Sequence, residues 1–384
     1  MTATMREHSG AIALVANYES DVGYAWWLME NFWAVIALEA AARGRKCVLA
    51  YPIINTIPRI IQDAPIEIRE FRFGRSSWKD VLRTARFLRD HKVESVYLTD
   101  WPYLHWGYLL WRLYGVTRIV MHDHTPGVRP PIRGVRGAIK RFLFSLRVFS
   151  CDQYVAVSKY VGRRHVENAC VPSKLGVVVE NGIVPFDPVT SARAGVRTRL
   201  QVPNDAFLIV LVSRATYYKG IDFAVRALAS VLKQDPTASI YAVHCGDGPD
   251  LEAFKKLTTE ENVADRFRFL GRRSDVREIL ASADLAFHPS RGEAMSLALL
   301  EFMCAGLPVV VPDDASVCTN VEHEVSGLVY PKGDLQAAAH ALRSLYEDRK
   351  KCAQLGEQAR AICLERYTLE RTNRSFTEQV VSSL

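Results

Sequence analysis

The chain has 384 residues, 49% of them hydrophobic and 24% charged, with a formal net charge of +7 at pH 7. This balance excludes a disordered or fibrous chain and leaves length for two domains, each with its own core. No apolar run reaches membrane-spanning length, since the richest stretch, 24–42, is broken by Glu30, Asn31 and Glu39.

Apolar, β-branched runs at 11–16, 47–51, 95–99, 118–121, 154–157 and 176–179 read as strands, with helical patterns at 24–43, 78–91 and 103–114 between them. No secretory signal is recognised before the first run. That run leads into Glu19-Ser20-Asp21-Val22-Gly23-Tyr24, whose single glycine, Gly23, lets backbone approach a phosphate. The run 118–121 leads into His122-Asp123-His124-Thr125-Pro126-Gly127. A His-x-His on a strand turns both rings to one face. Two ligands are too few for zinc and no third is identifiable, so no metal is expected, and a purely structural role is the larger rival for these histidines.

The segment 129–149 collects Arg129, Arg133, Arg136, Lys140, Arg141 and Arg147, interleaved with Val135, Ile139, Phe142, Leu143, Phe144, Leu146 and Phe149. A basic amphipathic helix of this kind suits an anionic membrane surface. The plainer alternative is a packed helix with one solvated basic face. No nucleic-acid motif accompanies the patch, so no nucleic-acid partner is expected. Glycine and two prolines punctuate 181–188 and mark a boundary. A second series of strands follows at 207–212, 240–244, 266–270, 285–288, 308–311 and 327–329, alternating with helical stretches such as 221–233 and 335–348, and 369–381 closes the chain. Such alternation implies parallel sheets covered on both faces. The expected division is 1–184, 185–366 and a terminal helix over 367–384. The eight cysteines (47, 151, 170, 245, 304, 318, 352, 363) are scattered without a Cys-x2-Cys pair, which suits buried thiols in a reducing cytoplasm.

One carboxylate pair carries the most chemistry. Glu293 lies in a turn between the run 285–288 and a helix-like stretch, and Glu301 lies eight positions on. A helix start at the mouth of a parallel sheet presents free N–H groups to anions, phosphate above all. Glu301 would sit about two turns in, roughly 12 Å along the axis. A diphosphate at the helix start would then have one hydroxyl-rich group near each carboxylate, and carboxylates accept paired hydrogen bonds from vicinal hydroxyls. Two surface glutamates favouring a helix dipole are the alternative.

The flanks of this pair resemble the glutamate-x7-glutamate signature of the retaining glycosyltransferases called family 4, or group 1. The similarity continues through Phe302-Met303-Cys304-Ala305-Gly306-Leu307-Pro308 and through 322–334. Upstream, Arg214-Ala215-Thr216-Tyr217-Tyr218-Lys219-Gly220 is similar to the family's Arg-x4-Lys-Gly element. Gly246-Asp247-Gly248 resembles its Gly-x-Gly turn, and Asn181-Gly182 resembles the pair that closes its first domain. The resemblance implies the GT-B fold: two Rossmann-like, doubly wound domains facing across a cleft, with the last helix crossing back to the first. It implies transfer from a nucleotide sugar, UDP- or GDP-linked, to a glycan or lipid-linked acceptor. The transfer would retain anomeric configuration and need no metal. A role in cell-surface polysaccharide or glycolipid synthesis follows, in the cytoplasm at the inner face of the cell membrane. Two departures stand out. The first loop has one glycine where many relatives carry a pair, and Ala294-Met295-Ser296 replaces the common Gly-Phe-Gly.

On this reading Arg214 and Lys219 stabilise charge growing on the departing diphosphate. No Asp-x-Asp occurs in the chain, which favours this cationic clamp over a bound metal. Gly246 belongs to the donor site, Ser296 and Leu297 offer backbone N–H groups to phosphate, Glu293 binds donor-sugar hydroxyls and Glu301 the ribose. Relatives place a histidine near the reacting carbon. His122 matches it first and His124 second, and His124 with Gly23 falls on the acceptor or phosphate loop. With no nucleophile to assign, front-face attack assisted by the departing phosphate is favoured over a covalent intermediate. Two rival readings are an epimerase on the same fold and a glycan-binding scaffold without activity; the intact glutamates and Arg–Lys pair count against the second.

Overall fold

The computed structural model describes residues 10–23, 26–189 and 193–384. Tyr24 and Ala25, where the first helical pattern was expected to begin, lie outside them, as does the start of the expected first domain.

Continuous burial along β1 (Ala11–Val15) and β2 (Cys47–Tyr51) is what a strand covered on both faces requires. β3 (Ile66–Glu70), β4 (Val93–Thr99), β5 (Arg118–Asp123), β6 (Gln153–Ala156) and β7 (Gly176–Val178) complete a seven-stranded sheet of order β3-β2-β1-β4-β5-β6-β7. β8 (Phe207–Val212), β9 (Ile240–Cys245), β10 (Phe267–Phe269), β11 (Leu285–Phe287), β12 (Val309–Pro312) and β13 (Gly327–Tyr330) form a second sheet of order β10-β9-β8-β11-β12-β13. Every pairing between these strands is parallel. Both orders wind outward from the first strand, reverse, and continue on its other side, as in a doubly wound Rossmann-like sheet. The reversal lies between β1 and β4 in one sheet and between β8 and β11 in the other.

The chain forms two compact units. One runs to Thr125 and includes Arg129–Glu180 and Thr372–Leu384; the other comprises Pro126–Val128 and Asn181–Arg371. The first core packs Val81, Ala85 and Leu88, one face of the helix Trp78–Asp90, against the sheet with Trp111 and Tyr108. The second packs Val225, Leu228 and Val231 of the helix Ile221–Gln234 against Ile209 and Leu211. The closing helix Leu369–Gln379 passes from the second unit into the first. There Phe376 packs on Phe32 at 4.4 Å between ring centroids, and Asn373 Oδ1 accepts from Asn31 Nδ2 at 2.7 Å. All eight cysteines are free thiols, buried except for the partly exposed Cys318.

Candidate functional site

In the second unit, β8 delivers the turn Ser213 to Gly220 and β11 delivers His288 to Ser296. These strands flank the winding reversal, where loops at carboxyl ends leave a crevice for ligands. Two glycines let the loops close up. Gly220 has φ 73°, and a Cβ there would meet the Pro289 carbonyl oxygen at 2.0 Å. Gly246, after β9, has φ 144°, and its Cβ would meet the Ser213 carbonyl oxygen at 1.8 Å. A side chain fits at neither position. Arg291 ties the two loops together: its N–H donates to Tyr218 O at 2.9 Å and its guanidinium pairs with Asp222 at 2.7 Å.

This framework sets Lys219 Nζ 2.6 Å from Glu293 Oε1. His288 Nε2 lies 3.2 Å from the same oxygen, at ion-pair distance but off the line of a hydrogen bond. The Glu293 N–H donates to Ser316 Oγ at 3.2 Å. Ser316 donates in turn to Asp314 Oδ1 at 2.5 Å, and Asp314 pairs with Lys332. Glu293 is only 6% exposed. Burial pushes its carboxyl upward, but Lys219 and then His288 outweigh burial and hold it at about 2, so it is ionised at neutral pH. His288, Ser316, Asp314 and Lys332 were given no role by the sequence; their part emerges only when the ends of β11 and β12 and the turn after β13 converge.

Ser296 caps the helix Leu297–Cys304 by accepting from Leu299 N–H at 3.3 Å. The N–H groups of Leu297 and Ala298 then have no protein partner among the described residues. Glu301, in the second turn, differs from Glu293. Its carboxylate makes no hydrogen bond or ion pair among the described residues, and burial pushes it up to about 7, with Arg277 pulling the other way. Arg214 is exposed and likewise has no carboxylate partner among the described residues.

In the first unit, Gly23 follows β1 with φ 72°. His122, near the end of β5, is fully buried; its Nδ1 shares a 2.6 Å hydrogen bond with the Tyr97 hydroxyl, and its ring packs on Phe32. His124 lies on the same face, 4.2 Å away between ring centroids, and is partly exposed. Burial lowers both rings, His124 to about 4, so both are neutral at pH 7. The Nε2 atoms of His122 and His124 are both buried without a hydrogen-bond partner among the described residues. Asp123 points to the other face and is held by Arg164 at 2.9 Å, His165 at 3.0 Å and the Tyr103 hydroxyl at 2.6 Å.

The basic segment forms the helix Gly134–Ser145. It buries Gly137 and Phe144 and exposes Val135 (76%), Ile139 (54%) and Phe142 (62%). These three follow the spacing of a single helical stripe, so the apolar face points outward, flanked by exposed Arg136 and Arg141. No helix among the described residues is long and apolar enough to cross a membrane.

Residues 25–185 match the family model described as Glycosyltransferase Family 4, and residues 194–362 match Glycosyl transferases group 1. An uncharacterised glycosyltransferase of Methanocaldococcus jannaschii is 30% identical over 194 residues, 49% of each chain. The GDP-mannose-dependent alpha-(1-6)-phosphatidylinositol monomannoside mannosyltransferase of Mycobacterium tuberculosis is 27% identical over 290 residues, 73% of each chain. Against the first curated relatives the match spans about half their length: 49% for the Methanocaldococcus protein and 57% for YqgM of Bacillus subtilis. Among solved structures, a glycosyltransferase of Rickettsia africae superposes with a TM-score of 0.78 at 16% identity, covering 98% of this chain and 99% of that one. HepE of Anabaena, in complex with UDP and glucose, superposes with a TM-score of 0.75 at 21% identity, covering 97% and 100%. These likenesses show the GT-B fold with its two Rossmann-like domains. With both halves matched in order, the chain belongs to the group 1 glycosyltransferases.

Proposed function

We propose that the protein moves a sugar from a UDP- or GDP-linked donor to a glycan or lipid-linked acceptor, retaining anomeric configuration and needing no metal, in the synthesis of a cell-surface polysaccharide or glycolipid. The observation that carries this reading is the contrast within one site. Glu293 is ionised and clamped by Lys219, whereas Glu301, behind the free N–H groups of a capped helix, has no partner among the described residues. A diphosphate at the helix start would meet Lys219, Arg214 and the N–H groups of Ser296 and Leu297, with Gly246 giving the backbone clearance. Its ribose would meet Glu301 and its sugar Glu293. The M. tuberculosis relative named for GDP-mannose and the HepE complexes with UDP support a nucleotide-linked donor. In the transfer, the anomeric C–O bond to the diphosphate breaks while the acceptor oxygen bonds on the same face. The acceptor proton passes to the departing phosphate oxygen, and Arg214 and Lys219 offset the growing charge. His122 is assigned to the donor side near the reacting carbon, with His124 as the second candidate, and His124 with Gly23 to the acceptor or phosphate loop. The test is incubation with UDP- and GDP-hexoses in the presence of a chelator, followed by NMR of the products. Retained glycosyl transfer is expected; isomerised donor without transfer, inversion or a strict metal requirement would overturn the reading.

Glu301 adds a pH signature. Only the ionised carboxylate accepts both ribose hydroxyls, so nucleoside diphosphate affinity should fall below pH 7, approaching roughly tenfold per unit. Calorimetric titration across pH 5.5–8.5 should show this dependence in the wild type and lose the Glu301 component in Glu301→Gln. The sign for stability follows. With a folded pKa near 7, above the ordinary 4.5, the contribution of Glu301 is present below about 4.5 and lost as pH rises through 7.

The outward apolar stripe of the helix Gly134–Ser145 supports docking on an anionic bilayer at the cytoplasmic face of the cell membrane. Co-sedimentation with phosphatidylglycerol vesicles is expected at low salt, to weaken with added salt, and to be lost in Ile139→Asp/Phe142→Asp. Vesicles that fail to carry the wild type at low salt would contradict it.

A further inference from the structure

The loops leaving β1, β2, β3 and β4 at their carboxyl ends enclose a cavity of about 480 Å³ within the first unit. It lies at the winding reversal of that sheet, where doubly wound folds take ligands. Its lining has two characters. Tyr18, Phe73 and Trp101 supply aromatic surface, with Phe73 edge-on to Trp101 at 6.5 Å between centroids. The Tyr18 hydroxyl and the Trp101 indole N–H are buried without hydrogen-bond partners among the described residues. Arg72 and Arg75 supply charge. Both are exposed, and neither has an acidic partner among the described residues. The Arg75 guanidinium lies over the Trp101 ring at 5.3 Å, which restricts it to the cavity wall. Glu19 is the one carboxylate in the lining, and it accepts from Asn55 Nδ2 at 3.3 Å. Two unpaired guanidinium groups against one engaged carboxylate leave the cavity attractive to anions.

We propose that this cavity binds the acceptor, and that the acceptor carries a phosphate next to a hydroxyl-rich ring. The phosphate fits the planar forks of Arg72 and Arg75. The ring packs against Tyr18, Phe73 and Trp101 and gives a hydroxyl to Glu19. The proposal rests on the transferase reading and narrows its acceptor to a phosphate-bearing class. The test is calorimetric titration of the full chain with hexose and cyclitol monophosphates, their uncharged parents, inorganic phosphate, and a short-chain prenyl diphosphate-linked sugar. At least one phosphorylated probe should bind on the order of tenfold or more tightly than its parent. Arg72→Ala/Arg75→Ala should erase that preference and leave nucleoside diphosphate binding unchanged. Preference for the prenyl probe identifies a lipid-linked source, and preference for a monophosphate a free one. Nucleoside diphosphate binding without an arginine-dependent phosphate preference overturns this proposal alone. Failure to bind any nucleoside diphosphate overturns the transferase reading and this proposal with it.

Discussion

Lys219→Ala should lower turnover by about 10²–10³-fold, the usual loss when one fixed donor is removed from a developing negative charge. It should also destabilise the fold. Glu293 is nearly buried, and Lys219 is its closest cation at 2.6 Å. Without it the Glu293 carboxyl must rise from about 2. Breaking a buried pair costs roughly 3–5 kcal/mol, and the partial exposure of Lys219 and the remaining His288 place this case at or below the lower end. The two effects separate in a cycle. Lys219→Ala/Glu293→Gln should recover much of the lost stability, since no buried charge is left unpaired, but none of the turnover. Steady-state rates and thermal melts of the three variants check it. Turnover within a few-fold of wild type in Lys219→Ala would reduce the pair to a structural brace.

Glu301→Ala should weaken nucleoside diphosphate and nucleotide sugar alike, by roughly ten- to a hundred-fold, the worth of hydrogen bonds to one charged group. Glu293→Gln should impair donor turnover yet leave nucleoside diphosphate affinity within a few-fold, because the sugar is present in only one of the two ligands. Stability should move against function at Glu301. Its carboxyl is desolvated and has no partner among the described residues, so its removal should leave the protein as stable as wild type, or more so, above pH 7. Two surface glutamates would instead give small effects with no ligand selectivity. Calorimetry and melts of both variants distinguish these outcomes.

Twelve strands were legible as apolar runs, because a sheet covered on both faces needs them. β3 was not. Its sequence Ile-Glu-Ile-Arg-Glu alternates, and as the edge strand it is only partly buried, so it reads like a polar loop. The helical pattern at 103–114 begins as a helix only at Gly107, because Leu104 bridges to Ser150 and His105 N–H donates to Phe149 O. The segment 129–149 shortened to Gly134–Ser145. The placement of Lys219, Gly246 and Glu293 in the loops after β8, β9 and β11 was legible from spacing and resemblance, since each loop follows an apolar run. The cover over His122 was not, because Phe32 and Phe376 lie far from it in the chain. The Ser316–Asp314–Lys332 support of Glu293 was invisible for a related reason: β12 and β13 bring together residues far apart in the chain.

The most direct test of a nucleotide-sugar site in the second unit is calorimetric titration of the wild type and Glu301→Ala with UDP, GDP and ADP, in the presence of a chelator. Saturable binding of at least one of them, weakened at least tenfold by Glu301→Ala, is the predicted result. No binding of any of the three at millimolar concentration, or binding indifferent to Glu301, would contradict it.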